Sequence, residues 1–325
     1  MILPLAAAET SGHTFASFDV PFWVWAALIA AITIMLVVDL LLVHRTPHEI
    51  SIREAGIESA VWISIGLAFT GVIFWWQGTQ AAGEYLAGYL IEKSLSVDNV
   101  FVWAVIFSYF AVPRKYQFRV LFWGIFGALV LRAVFIFAGV RLLETFEWVI
   151  YVFGAFLLLT AWRIYRHDET EVHPENNPVL KLVQRIIPST PELDGQKLFT
   201  RKHGRLLATP LFAVLILVET TDVVFAVDSI PAILAVSHEE FIVFSSNAFA
   251  ILGLRALYFL LAGMQGRFRY LNTGLAVILA FVGVKMLLSD VYHMPTWVSL
   301  TVIAVVLAIT IWASLRAERN EAVEP

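Results

Sequence analysis

A predominantly apolar run from Leu206 to Val236 carries three carboxylates inside one stretch, VETTDVVFAVDSIP at 218–231. The run exceeds the about 20 residues that a helix needs to cross a bilayer. A carboxylate at that depth costs about 2.5 kcal/mol or more, so Glu219, Asp222 and Asp228 must serve a pathway or a partner. A second stretch echoes it: IEKSLSVDNVF at 91–101 sets Glu92 and Asp98 well inside an apolar segment. Only 15% of the residues are charged and the mean hydropathy is +0.79, whereas a soluble domain carries about 25% charged residues. The fold class that follows is an all-α polytopic membrane protein.

Apolar runs at 21–43, 58–76, 85–112, 119–139, 147–163, 207–236, 240–262, 271–288 and 297–314 make nine candidate spans, with Asp39 near the far end of the first. Residues 1–20 have no basic n-region and too short an apolar core for a standard secretory signal, so they read as an extracytoplasmic tail. With the N-terminus outside, alternate loops place 17 Lys and Arg residues inside and only Arg141 outside. This asymmetry follows the positive-inside rule and puts the C-terminal tail, 315–325, on the cytoplasmic side. The transmembrane domain is 21–314, interrupted by one long polar loop at 165–206. That loop reads as a solvated linker, with Val179–Ile187 as a short amphipathic stretch able to lie along the membrane.

The two acidic stretches align. SVDNVF (96–101) matches TTDVVF (220–225), pairing Asp98 with Asp222; LRAVFIFAG (131–139) matches LRALYFLLAG (254–263), pairing Arg132 with Arg255. Three spans separate the copies, and an odd number reverses their direction across the membrane. The expectation is an inverted repeat of three-helix units, about 85–164 and 207–288, with a substrate site near the midplane.

Helical geometry groups the acids. Glu219 and Asp222, three apart, share a face, whereas Asp228 falls on the opposite side of a continuous helix. Pro231 cannot donate to the Val227 carbonyl, so unwinding around Asp228 would free a carbonyl beside a carboxylate. In the first copy Glu92, Ser96 and Asn99 share a face, and a break at Ser94–Ser96 would bring in Asp98.

Carboxylates, Asn99, Asn247, hydroxyls and main-chain carbonyls are hard oxygen donors suited to Mn²⁺, Mg²⁺ or Ca²⁺. The eight histidines lie at span ends or in loops, and the absence of cysteine excludes disulfides, thiolate ligands and thiol redox chemistry. His44, His48 and His293 read as interface residues, and the 11 tryptophans as interfacial belt and packing. No Walker loop, nucleophile–base pair or cofactor motif is present, so neither an ATP engine nor an enzyme is expected, and no cofactor or nucleic-acid partner. A competing structural reading has Lys93, Arg132, Arg255 and Lys285 neutralise the acids as buried ion pairs. Arg132 and Arg255 fit best as residues that hold a carboxylate charged.

The blocks GYLIEKSLSVDNVFVW (88–103), GALVLRAVFIFAG (127–139), LVETTDVVFAVDSIPAI (217–233) and SNAFAILGLRALYFLLAG (246–263) resemble the TerC family of integral membrane proteins, within the LysE transporter superfamily, and within it an Alx-like subgroup. The resemblance implies an inner-membrane protein tied to manganese export and to responses to metal and alkaline pH. It places the family's intramembrane acidic pattern on Asp39, Glu92, Asp98, Glu219, Asp222 and Asp228. The combined expectation is a proton-coupled secondary transporter exporting a divalent cation, Mn²⁺ first. Glu92, Asp98, Glu219, Asp222 and Asn99 form the midplane site, and Asp39 and Asp228 gate or relay. Two other functions suit the same sequence: a non-transporting factor that helps other membrane proteins insert or acquire metal, and an exporter of a small cationic or amino-acid solute. Beyond the metal ion and the lipid bilayer, the sequence specifies no protein partner.

Overall fold

The computed structural model describes residues 15–39, 50–146, 148–166, 182, 185–190, 192–202, 205–261, 270–288, 291 and 294–321. The chain is almost wholly helical, as the long apolar runs require, because a backbone in lipid must satisfy its own hydrogen bonds. Helix α1 is Phe22–Val38, α2 Ile52–Tyr109, α3 Arg114–Thr145 and α4 Val149–Arg166. A β-hairpin (β1 Phe199–Lys202, β2 Arg205–Ala208) follows, then α5 Pro210–Leu234, α6 Glu240–Leu252, α7 Leu254–Leu261, α8 Leu271–Leu287 and α9 Thr296–Glu321. Among the described residues six helices, with α6 and α7 taken as one, are long and apolar enough to cross a membrane, and Phe22–Val38 and Thr273–Leu287 are shorter apolar helices.

At 58 residues α2 would reach about 87 Å if straight, almost three times the hydrocarbon thickness. It folds back instead at Gly78, whose φ of 85° belongs to the region that glycine enters freely. Tyr85 Oη donates to the Gly66 carbonyl at 3.0 Å and Phe69 meets the Tyr85 ring at 5.4 Å, contacts that only an antiparallel pair of half-helices can make. Residues 77–84, expected to separate two spans, are thus helical except at Gly78 itself. At the start of α2 the Ser51 hydroxyl accepts from the Glu54 amide and the Glu54 carboxylate accepts from the Ser51 amide, a reciprocal cap for two otherwise orphaned donors.

The described helices pack in matched pairs: α4 on α8, α3 on α5, and α2 on α5, α6 and α7. At the α4–α8 contact a Cβ on Gly154 would lie 3.0 Å from the Gly283 carbonyl oxygen, and one on Gly283 would lie 2.9 Å from that of Gly154. Small residues at both positions therefore let the backbones touch, the usual basis of helix association in lipid. The outward faces carry large apolar side chains; Trp23, Trp75, Trp148 and Trp297 are exposed at one set of helix ends and Trp162 and Trp312 at the other. These are the positions that two interfacial aromatic belts would occupy.

Two sequence expectations change. No unwinding occurs at Ser94–Ser96 or at Asp228, since α2 departs from helical dihedrals only at Gly78 and α5 is helical from Pro210 to Leu234. Pro231 sits in the last turn of α5, so its missing donor falls where the helix is about to end. The linker also contains the unforeseen β1–β2 hairpin, in antiparallel register with Phe199 opposite Ala208. Thr209, which precedes α5, donates to the Lys197 carbonyl at 2.7 Å and ties hairpin to helix. The amphipathic stretch expected at 179–187 lies largely outside the described residues.

Candidate functional site

Helix α2 presents Glu92, fully buried, toward Arg132 of α3, and the two form an ion pair. The Ser96 hydroxyl, one turn on, donates to the same Glu92 oxygen at 3.3 Å, and Arg132 also donates to the Ser229 hydroxyl of α5 at 3.2 Å. Three helices are thereby joined through one guanidinium. Asp222 of α5 is almost completely buried within electrostatic reach of both Arg132 and Glu92, and Glu219 is within reach of Asp222. The Glu219 carboxylate lies directly over Gly127 of α3, where any Cβ would collide with it. Asn99 of α2 and Asn247 of α6 are also buried.

Hydrogen-bond capacity is left over in the core. Glu92 Oε2, Glu219 Oε2, Asp222 Oδ2 and Asn247 Nδ2 are all buried without a partner among the described residues. Four orphaned polar atoms in a core are unusual, because each unsatisfied group costs about 1–3 kcal/mol. The side chains of Asp98 and Asp228 lie outside the described residues, although their backbones belong to α2 and α5. Among the described residues no three acidic or imidazole side chains are grouped as around a metal ion.

Asp39 sits elsewhere. It closes α1 and is gripped in bidentate fashion by Arg255 of α7, which also lies 3.7 Å from Glu58 and 4.3 Å over the Phe118 ring. Both repeat-related arginines therefore hold a carboxylate, as read from the sequence. Lys93 behaves differently: it donates at 3.2 Å to the Ala250 carbonyl, beside the single-residue break at Gly253 that separates α6 from α7. Position 253 has no room for a side chain, since a Cβ there would lie 2.9 Å from Lys93 Nζ and Trp62 Cβ.

A cluster not foreseen in the sequence occupies the start of the second half of α2, just past Gly78. Glu84, fully buried, accepts from Ser237 Oγ at 2.8 Å, from Gln80 at 3.3 Å and from the Ala16 amide at 2.6 Å, and faces Lys285 of α8. Glu84 falls just before an apolar run, where sequence reading treats an acid as solvated. The available signal was Lys285, a cation inside a span that required a counter-charge.

These features define a class: a polytopic helical membrane protein with polar and charged stations in its core. The chain belongs to the TerC family of integral membrane proteins, whose family model matches residues 77–322. It is 50% identical over 95% of its length to an uncharacterized membrane protein of Myxococcus xanthus, of which it covers 96%. It is 47% identical to Escherichia coli K12 Alx, named as a membrane-bound redox modulator, over 91% of this chain and 96% of that protein. An uncharacterized membrane protein of Rickettsia bellii is 38% identical over 90% of this chain and 96% of its own length. No solved structure matches.

Proposed function

We propose that this protein is a secondary transporter exporting divalent metal cations, Mn²⁺ first among them, across the cytoplasmic membrane. The observation that carries the reading is the pair Glu219 and Asp222: two neighbouring carboxylates on one face of α5, each with a buried oxygen that has no partner among the described residues. The Arg132–Glu92 ion pair beside them is internally neutralised, which leaves the α5 acids as the charge available to a cation. Asn99, buried on α2, supplies a neutral oxygen, and Asp98 is assigned to the site from its sequence match to Asp222. Asp39 in its arginine clamp gates the cytoplasmic side, and Asp228 relays toward the opposite side. Oxygen donors of this kind suit Mn²⁺ and do not select softer metals.

Taking the two halves of α2 and the shorter helices as separate crossings is compatible with a nine-span path, and the Lys and Arg distribution favours the N-terminus outside. The inverted repeat has support in the exchange of partners: α3 of one unit packs on α5 of the other, α2 packs on α6, and α4 meets α8 through reciprocal glycines. A relative's name links the family to redox balance. A chain without cysteine would influence that balance through metal supply rather than thiol exchange. Proton exchange on Asp222 supplies the coupling, because a low-dielectric core penalises two bare carboxylates once the cation leaves.

The test is Mn²⁺ flux into dye-loaded liposomes at two proton gradients, comparing wild type with Asp222→Asn. Flux in the wild type that depends on the pH difference and vanishes in the variant, with equal protein inserted, is the expected result. Wild-type rates from Asp222→Asn would sink the assignment.

A further inference from the structure

Residues 15–18 lie across the same end of the bundle as Gly78, and four elements hold them. The Ala16 amide donates to Glu84 Oε1 of α2 at 2.6 Å, and the Phe18 amide donates to Glu239 Oε2 at 3.3 Å. The Phe15 ring lies tilted against the His238 ring at 4.4 Å and 5.5 Å from the Lys285 ammonium, while Phe18 meets Trp76 edge-on at 5.5 Å. The segment thus bridges the first half of α2, its second half, the α5–α6 connection and α8. Glu84 stands eight residues from Glu92 on one helix, about 12 Å along it. Ser237 and His238 directly follow α5, which bears Glu219 and Asp222. The strap therefore covers the ends of the two helices that carry the central acids.

We propose that residues 15–18 form a strap that closes the extracytoplasmic mouth of the ion path, with Glu84 as its latch. The proposal rests on the transport reading given above. A buried carboxylate needs compensation, and here a main-chain amide, a hydroxyl, an amide side chain and a lysine supply it jointly. Removing the strap takes away the shortest of those hydrogen bonds and lets water reach Glu84. Closure is thereby coupled to the charge of one residue, and Glu84 acts as a positioning residue for the strap rather than as a ligand of the central site.

The cysteine-free sequence makes the test clean. Phe15→Cys with His238→Cys, and separately Phe18→Cys with Trp76→Cys, are bridged by oxidation or by a graded series of bis-methanethiosulfonates in liposomes, and Mn²⁺ flux is read before and after reduction. Flux at least about tenfold lower in the bridged forms, restored by reductant, is the expected result. Bridged protein that transports at the reduced rate, or no bridging with any reagent length, overturns the strap as a gate. In a second measurement Ala16→Cys is labelled with a membrane-impermeant maleimide, alone and with Glu84→Gln. Labelling several-fold faster in the double variant supports the latch; equal rates overturn it. Absence of Mn²⁺ flux in the wild type would sink the transport reading instead, and the labelling rates would still decide whether the strap is held by Glu84.

Discussion

Arg132 and Glu92 lie 40 positions apart in the chain and form an ion pair almost wholly out of solvent. Removing one partner leaves the other charge buried and uncompensated, at a cost of about 3–5 kcal/mol, whereas replacing both by apolar groups is close to neutral. Glu92→Met and Arg132→Met are each expected to lower the denaturation midpoint of the purified protein strongly, with the double variant recovering most of the loss. Denaturant titration by tryptophan fluorescence reads all four forms. A double variant as unstable as the sum of the singles would mean that the pair is not a closed unit.

Gly127 probes Glu219 from the opposite helix. A methyl group at 127 would occupy the space of the Glu219 carboxylate, so Gly127→Ala should displace that group by about 1 Å while altering nothing polar. If Glu219 is a cation ligand, flux should fall about tenfold or more, a scale in keeping with what displacing a functional group by that distance costs. Glu219→Asp, one methylene shorter, should restore part of the flux in the Gly127→Ala background. Unchanged flux in Gly127→Ala would remove Glu219 from the site.

Much of this was legible from the residues alone. Carboxylates and arginines inside apolar runs announce buried partners, because lipid offers no other way to keep charge, and Arg132–Glu92 and Arg255–Asp39 are such pairs. The hairpin at Gly78 was half visible: 77–84 is polar enough to suggest a loop, yet Gln80 reaches back to the buried Glu84 and the backbone stays helical on both sides of Gly78. What could not be read was the outer cluster. Glu84 is satisfied by a main-chain amide at Ala16, 68 positions away, and by Ser237, 153 positions away, and no local pattern encodes a main-chain donor at that distance. The breaks that the sequence allowed at Ser94–Ser96 and Asp228 do not occur: Pro231 falls in the final turn of α5, where a missing donor matters little, and no proline or glycine stands at 94–96 to interrupt α2.

Gly154 and Gly283 make the α4–α8 contact sensitive to a single side chain. Either residue enlarged to leucine would drive a side chain into the facing carbonyl and Leu287 or Leu158, an overpacking cost of about 1–3 kcal/mol. Both Gly154→Leu and Gly283→Leu should lower the thermal midpoint in detergent. Gly71→Ala is the control, since nothing lies within 4 Å of its added Cβ. Equal midpoints for all three would mean that α4 and α8 are not in backbone contact.

The strap also has a proton-sensitive neighbour. His238 lies in the α5–α6 connection; burial, and then the Lys285 charge, push its imidazole down from 6.5 to about 4, against a hydrogen bond with the Leu234 main chain that pulls it up. The folded protein therefore keeps His238 neutral where the unfolded chain would take a proton. As pH falls below about 6.5 the unfolded state gains that proton alone, so stability declines, and the decline stops near pH 4 when the folded imidazole protonates as well. Glu239 pulls the other way, since burial raises its carboxyl despite the Phe18 and Phe241 amides, and a raised acid stabilises the fold as pH falls. Comparing wild type with His238→Gln cancels Glu239, which is present in both. The gap between their thermal midpoints should be constant above about pH 7 and should move against the wild type between 6.5 and 4. Over the same range labelling of Ala16→Cys by impermeant maleimide should rise in the protein that keeps His238 relative to the His238→Gln background, which shares the slowing due to thiol protonation, because a charged imidazole under Phe15 and beside Lys285 works against the closed strap. Parallel midpoint curves would show that His238 titrates alike in both states, and with it that the strap does not shield that ring from water.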